Sequence, residues 1–211
     1  MGILIDPRDT LIQAHRPTMA VPAFSPIPQI NQGSTRYLMA SDGLYLDSKT
    51  HWGHLTVKLW DSPVKTPYGN IEQHITFNGG LLPREILKEM ALEAVKASPL
   101  EFAGMVTWSE TKGYKFIVCE PINSGVGHIN YKIPHMEPDE SIVIDVHSHG
   151  NSGAFFSAQD NLDDQGGVRI CMVLGRCGAI HNIRTKARVV IEGHFLPLKM
   201  GAFIQSNRGT S

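Results

Sequence analysis

Apolar residues along this chain change their spacing twice, and each change marks a boundary. Between residues 36 and 77 they alternate with polar ones. Leu55, Val57 and Leu59 stand against Thr56, Lys58 and Trp60, and Ile71, Gln73, Ile75 and Phe77 resume the two-residue period of a half-buried strand. Asp42-Gly43 lies between the apolar runs of RYLMASDGLYLDS and predicts a hairpin turn. From Pro83 the period lengthens. Ile86, Leu87, Met90, Ala91, Ala94 and Val95 recur at helical spacing opposite Lys88, Glu89, Glu93 and Lys96, and Ser98-Pro99 ends the helix. Beyond it EFAGMVTW, YKFIVCEPI, SIVIDVHSH, RICMVLGR, RTKARVVIEG and HFLPL read as strands, with a short helix over about 157–165.

Residues 16–35 follow neither period. Their four prolines forbid a continuous helix or a central strand. An extended arm packed on the body is expected, anchored by Val21, Phe24, Ile27 and Ile30. The chain therefore divides into a small β-rich N-terminal unit with its arm (1–80) and a second domain (81–211). One long helix leading into mixed strands, with a second helix between strands, gives an α/β (α+β) class with a central sheet.

Composition narrows the function. Hydrophobic residues make up 42% and charged residues 18%, so the chain can bury a core. A net charge of -1 leaves no basic field for nucleic acid. Cys119, Cys171 and Cys177 form no C-x-x-C pair and no disulfide framework, and are expected to be reduced core residues. MGILIDPRDTLIQAHRP has no basic stretch followed by an apolar one, and lacks the Ser or Thr at position 6 that a myristoylation signal carries. No run approaches the roughly 18 apolar residues of a membrane span. A soluble, cytoplasmic protein is expected.

The chemistry concentrates in DVHSHGNSGAFFSAQD, residues 145–160. Residues two apart on a strand share a face, so His147 and His149 present both imidazoles to one point. Gly150 to Gly153 lets the chain turn back, and Ser157 and Asp160 open the next helix. Two histidines and a carboxylate supply three protein ligands and leave a fourth tetrahedral position open, as in a catalytic zinc site. Each half also has a plainer meaning: an HxH pair alone is a weak signal, and S-x-x-D alone is a capping box. Asp145 shares the strand face of His147 and is either an outer partner of the site or a capping carboxylate. Asp163 and Asp164 are expected on a solvated face, His51 and His54 on the surface with their side chains to opposite faces, and Phe155-Phe156 either in the core at the loop base or along the substrate groove. Trp52, Trp60 and Tyr68 either pack in the hairpin core, the commoner arrangement, or form a binding face for a partner.

H-x-H, seven residues, S-x-x-D resembles the signature of the JAMM (MPN+, Mov34-like) metalloprotease family, and His147, His149, Ser157 and Asp160 fit it without a gap. The resemblance implies a mixed sheet flanked by helices, similar to that of the cytidine deaminases. It implies one zinc ion on His147, His149 and Asp160. The segment Pro99-Leu100-Glu101-Phe102-Ala103-Gly104 resembles the family's glutamate-bearing segment, which carries the general-base role to Glu101. Ser157 would donate to the oxyanion. One position departs: family members commonly have proline after the second histidine, where this chain has Gly150. A narrower resemblance, carried by QAHRPTMAVPAFSPIP, DGLYLD and HSHGNSGAFFSAQDNLDDQG, is to the A-type proteins of bacterial PRTRC gene systems. It implies a ubiquitin-like protein or its conjugate as substrate; the charge and hydropathy above lead us to expect no nucleic-acid or membrane partner. The reaction implied is that of a zinc isopeptidase or peptidase. The alternatives are a non-catalytic scaffold of the same fold and a small-substrate zinc amidase.

Overall fold

The computed structural model describes residues 6–125 and 128–205. The first five residues, read above for a leader or lipid signal, lie outside that range. Among the described residues no helix is long and apolar enough to cross a membrane. The chain separates into two compact units, one ending at Asn78 and the other beginning at Gly79.

The N-terminal unit opens with helix α1 (Pro7–His15), capped by Asp6, whose carboxylate accepts the Arg8 N–H at 2.8 Å. It continues with strands β1 (Thr18–Ala20), β2 (Ser34–Ala40), β3 (Gly43–Lys49), β4 (Gly53–Asp61) and β5 (His74–Phe77). They form one sheet in chain order, with β1 parallel to β2 and the remainder antiparallel. The turn between β2 and β3 falls at Ser41-Asp42, beside the expected signal. Leu38, Leu46 and Leu55 are fully buried, and Trp52 is buried and stacked on Phe77 at 5.7 Å.

Several expectations for this unit need correcting. Val21 and Ile30 anchor the arm and Ile27 packs against the same cluster, but Phe24 is fully exposed. Trp60 and Tyr68 are exposed, which leaves the commoner packed arrangement to Trp52 alone. The strand expected over 71–77 occupies only His74–Phe77. Thr56, expected to face solvent, is buried at 1% exposure because its hydroxyl donates to Asp47.

The C-terminal unit starts with α2 (Arg84–Ala97), which buries Ile86, Met90 and Ala94, one residue per turn on the face that the spacing predicts. Strands β6 (Ala103–Ser109) and β7 (Gly113–Val118) follow, then a two-stranded hairpin of β8 (Pro121–Gly125) and β9 (His128–Tyr131). Next come β10 (Ser141–Ser148), helix α3 (Ala158–Asp163), β11 (Val168–Gly175), β12 (Arg184–Ile191) and β13 (His194–Leu198). The six-stranded sheet runs β13-β12-β11-β10-β6-β7. Only β10 and β11 pair in parallel, and α3 lies in the crossover between them. This is a mixed sheet with helices, in the class expected. Its centre is apolar on both faces: Val106, Ile144, Val146, Ile170, Met172, Val173 and Val190 are inaccessible to solvent. Cys119, Cys171 and Cys177 are buried free thiols, and burial pushes Cys119 up to about 12 and Cys177 to about 11.

Candidate metal centre

β10 is a central strand, paired with β6 on one side and β11 on the other, so its end is among the most constrained backbone in the unit. His149 lies one residue past the strand, yet its N–H still donates to the Leu174 carbonyl at 2.8 Å. The extended geometry therefore continues through both histidines, and their Nε2 atoms approach to 3.2 Å. α3 supplies the third group. Ser157 Oγ accepts the Asp160 N–H at 3.1 Å, and Asp160 Oδ2 accepts the Ser157 N–H at 2.5 Å. This reciprocal cap fixes the carboxylate's direction. Asp160 Oδ1 then stands 3.2 Å from His147 Nε2, and Oδ2 stands 3.8 Å from His149 Nε2. Four-coordinate zinc with bonds of about 2.0–2.1 Å places neighbouring donors roughly 3.3–3.4 Å apart. The two nitrogens and the carboxylate bracket that spacing, and two imidazoles and a carboxylate are a donor set that zinc accepts, so the residues fit the ion.

The charges agree with the geometry. Burial works against a charged His147, but the hydrogen bond and charge of Asp160 outweigh it, and the imidazole is raised above its ordinary value. His149 is lowered, first by burial and then by His147 beside it. Its ring also hydrogen-bonds the Gly153 carbonyl, which orients the imidazole with Nε2 toward the site. For Asp160 burial pushes upward, and the hydrogen bond and charge of His147 and the cap from Ser157 more than reverse it, so the carboxylate lies well below the usual range.

Glu101 is 7% exposed, lies between α2 and β6, and lines the same cavity as the two histidines. Two contacts tie its segment to the histidine strand. Ser148, the residue between the histidines, accepts the Phe102 N–H on its hydroxyl at 3.0 Å and donates its own N–H to the Phe102 carbonyl at 2.9 Å. Gly150 then passes so close to the Pro99 carbonyl that a Cβ would stand 2.2 Å from it, and its φ is +52°. Proline fixes φ near −65°. The family's usual proline therefore cannot occupy this backbone, which instead brings the chain against the Glu101 segment. On the other side Gly175 leaves room for the backbone of residues 152–154, which a Cβ would meet at 2.3 Å.

The cavity, about 480 Å³, is lined by more than the expected residues. β9 contributes Ile129, Asn130 and Tyr131, which no sequence signal singles out. Asp145 opens on the cavity and accepts from the Tyr131 hydroxyl at 3.0 Å, with Arg169 Nε 3.6 Å away, and burial raises its carboxyl. Phe155 takes the second of its two expected places, half-exposed and lining the cavity, with its ring edge-on to His149 at 4.6 Å. Phe156 lies against the Arg188 guanidinium at 3.8 Å. Asp163 is exposed as expected, but Asp164 is buried and paired with Arg188 at 2.6 Å and Arg169 at 3.2 Å. That correction matters to the site. α3 has six residues and buries none of them, so packing cannot hold it. Arg188 does so instead, donating to Asp164, to Asn161 and to the Asp160 carbonyl.

Comparison with known proteins gives two family matches. Residues 6–78 match a domain of unknown function, DUF2016, and residues 83–189, about half of the chain, match the prokaryotic homologs of the JAB domain. Two solved structures resemble this one. Protein DSY2949 from Desulfitobacterium hafniense is 13% identical, with a TM-score of 0.44 over 56% of this chain and 88% of its own. AF2198, a JAB1/MPN domain protein from Archaeoglobus fulgidus, is 16% identical, with a TM-score of 0.38 over 56% of this chain and 93% of its own. None of the curated proteins matches.

Two substitutions test these supports. Gly150→Ala should destabilise the protein by at least about 1–2 kcal/mol, the cost of a left-handed backbone at a residue with Cβ. Chemical denaturation measures it, and an unchanged midpoint would contradict the close approach to Pro99. Arg188→Ala leaves Asp164 short of its main partner and should cost about 3–5 kcal/mol, while Arg188→Met with Asp164→Leu should recover much of that loss. Equal stability of the single and double variants would mean that the pair does not act as a unit.

Proposed function

This chain belongs to the prokaryotic homologs of the JAB domain, a family that includes zinc metalloproteases and inactive scaffolds, and on that footing we propose that it is a zinc-dependent isopeptidase or peptidase. One observation carries the reading: His147, His149 and Asp160 converge with ligand-like spacing, and Glu101 lines the same cavity. His147, His149 and Asp160 are the metal ligands, Glu101 is the general base and then acid, and Ser157 is the oxyanion donor. A zinc ion in that set supplies Lewis acidity and lowers the pKa of water toward about 7. Glu101 accepts the proton of the attacking water and returns it to the leaving amine. The capping box uses the Ser157 oxygen as an acceptor, so the hydroxyl proton is left to donate to the developing oxyanion. The bond cleaved is an amide, either an isopeptide to lysine or a peptide bond after a small-residue tail.

The finer specificity rests on the likeness of the N-terminal and HSHG segments to PRTRC A-type proteins. We assign as substrate a ubiquitin-like protein or its conjugate, processed at the C-terminal tail in the cytoplasm. Buried reduced thiols suit that compartment.

Glu101→Ala should retain zinc and lose turnover of a ubiquitin-like fusion, while free dipeptides are left uncut even by the parent. Full activity in the variant would remove Glu101 from its role, and cleavage of dipeptides would favour a small-substrate amidase. The pH dependence follows from His147. Its raised value means that zinc must displace a proton from the ring, so affinity should fall by about tenfold per pH unit below that value as long as one proton is displaced. Chelator competition across the neutral to mildly acid range measures the slope. A flat profile would mean that the ring is already neutral when the ion binds.

A further inference from the structure

The last two strands of the C-terminal sheet carry a basic pair at one end and aromatic surface toward the other. β12 and β13 pair so that Arg188 faces Pro197 and Val190 faces Phe195. Continuing that register one step beyond Ala187 and Leu198 sets Lys186 opposite Lys199, whose backbone is still extended. Alternate residues share a face, so the two lysines, Arg188, Pro197 and Phe195 lie on one side of the sheet. There the Arg188 guanidinium touches two rings, Phe156 at 3.8 Å and Phe195 at 4.1 Å. These residues, with Met200, wall a groove of about 610 Å³.

The charges of this groove do not balance. Arg188 is met by Asp164 at 2.6 Å, but Lys186 and Lys199 are exposed and no acid lines the groove. Like charges directly opposite on neighbouring strands repel, and an anion between them relieves the repulsion. The apolar end is unmet as well, since Phe195 keeps 36% exposure. An added strand is a poor occupant. β13 is the outer strand, but Pro197 has no N–H to offer along that edge. An occupant is therefore held by side chains, and a groove of this volume suits a small molecule. At about 3.4 Å per residue, roughly 14 Å separates Lys199 from Phe195, room for an apolar chain of medium length.

We propose that this groove is a second ligand site, for a small amphiphilic anion: a carboxylate between Lys186 and Lys199, with its apolar chain along Pro197, Phe195 and Phe156. The proposal does not depend on the hydrolase reading, since neither Glu101 nor any of the metal-ligand residues lines the groove. Its occupant lies against the same guanidinium that holds α3.

The test is a titration of the full chain, with its methionine methyl groups labelled, against octanoate, octanol and acetate. Binding is read by NMR at the Met200 methyl, which Met200→Leu assigns. Octanoate should shift that signal saturably. It should bind about tenfold or more tighter than octanol, which lacks the charge, and than acetate, which lacks the chain. Lys186→Gln with Lys199→Gln removes the basic pair from two exposed positions, where the fold tolerates the change. Octanoate should then bind no better than octanol, while the affinity for octanol stays as it was. A Met200 signal that octanoate leaves unmoved would overturn the site. So would equal affinities for octanoate and octanol in the parent, or an octanoate affinity unchanged in the double variant.

Discussion

Asp160 and His147 face each other at 3.2 Å across the mouth of a buried sheet, and much of the C-terminal unit serves to keep them there. The histidine comes with the strand. β10 is paired on both sides and apolar within, so its end has little freedom. The aspartate comes with a helix that has no freedom to spare and no packing to hold it. A reciprocal cap with Ser157 holds the start of α3, and Arg188 holds its end through the Asp160 carbonyl and Asp164. The price of that polar clamp is the desolvation of Arg188 and Asp164, which only a pre-set carboxylate direction would justify.

The same economy appears on the other side of the histidines. A left-handed glycine at 150 gives up the stiffness of a proline and gains contact with the Pro99 carbonyl. Ser148 adds two hydrogen bonds to Phe102. Glu101, which lies between α2 and β6, is thereby tied to the histidine strand. The departure from the family pattern still leaves Glu101 lining the same cavity as the two histidines.

What could be read in the sequence was whatever is local. Strand period puts His147 and His149 on one face, and the capping-box spacing puts Ser157 and Asp160 on one helical turn, so four residues of the site needed no fold. Glu101 was legible only through family resemblance, because nothing within its own segment marks it. Three of the misread residues, Asp164, Thr56 and His54, share one cause, a partner supplied by another element. NLDDQ looks like a solvated helix face until Arg188, 24 residues on, reaches Asp164. Thr56 and His54 look like surface until β3 brings Asp47 beside them. Phe24 looks like an anchor, and the arm turns it outward. Cross-strand register decides Thr56 and His54, and register is written in no single window of residues.

The most direct test of the account is the metal content of the purified protein by elemental analysis, beside an Asp160→Ala variant of unchanged secondary structure. The account predicts about one zinc per chain in the parent and little in the variant, since three protein ligands make a site and two do not hold it. No zinc in either protein, even after reconstitution, would contradict it and leave the fold as a scaffold.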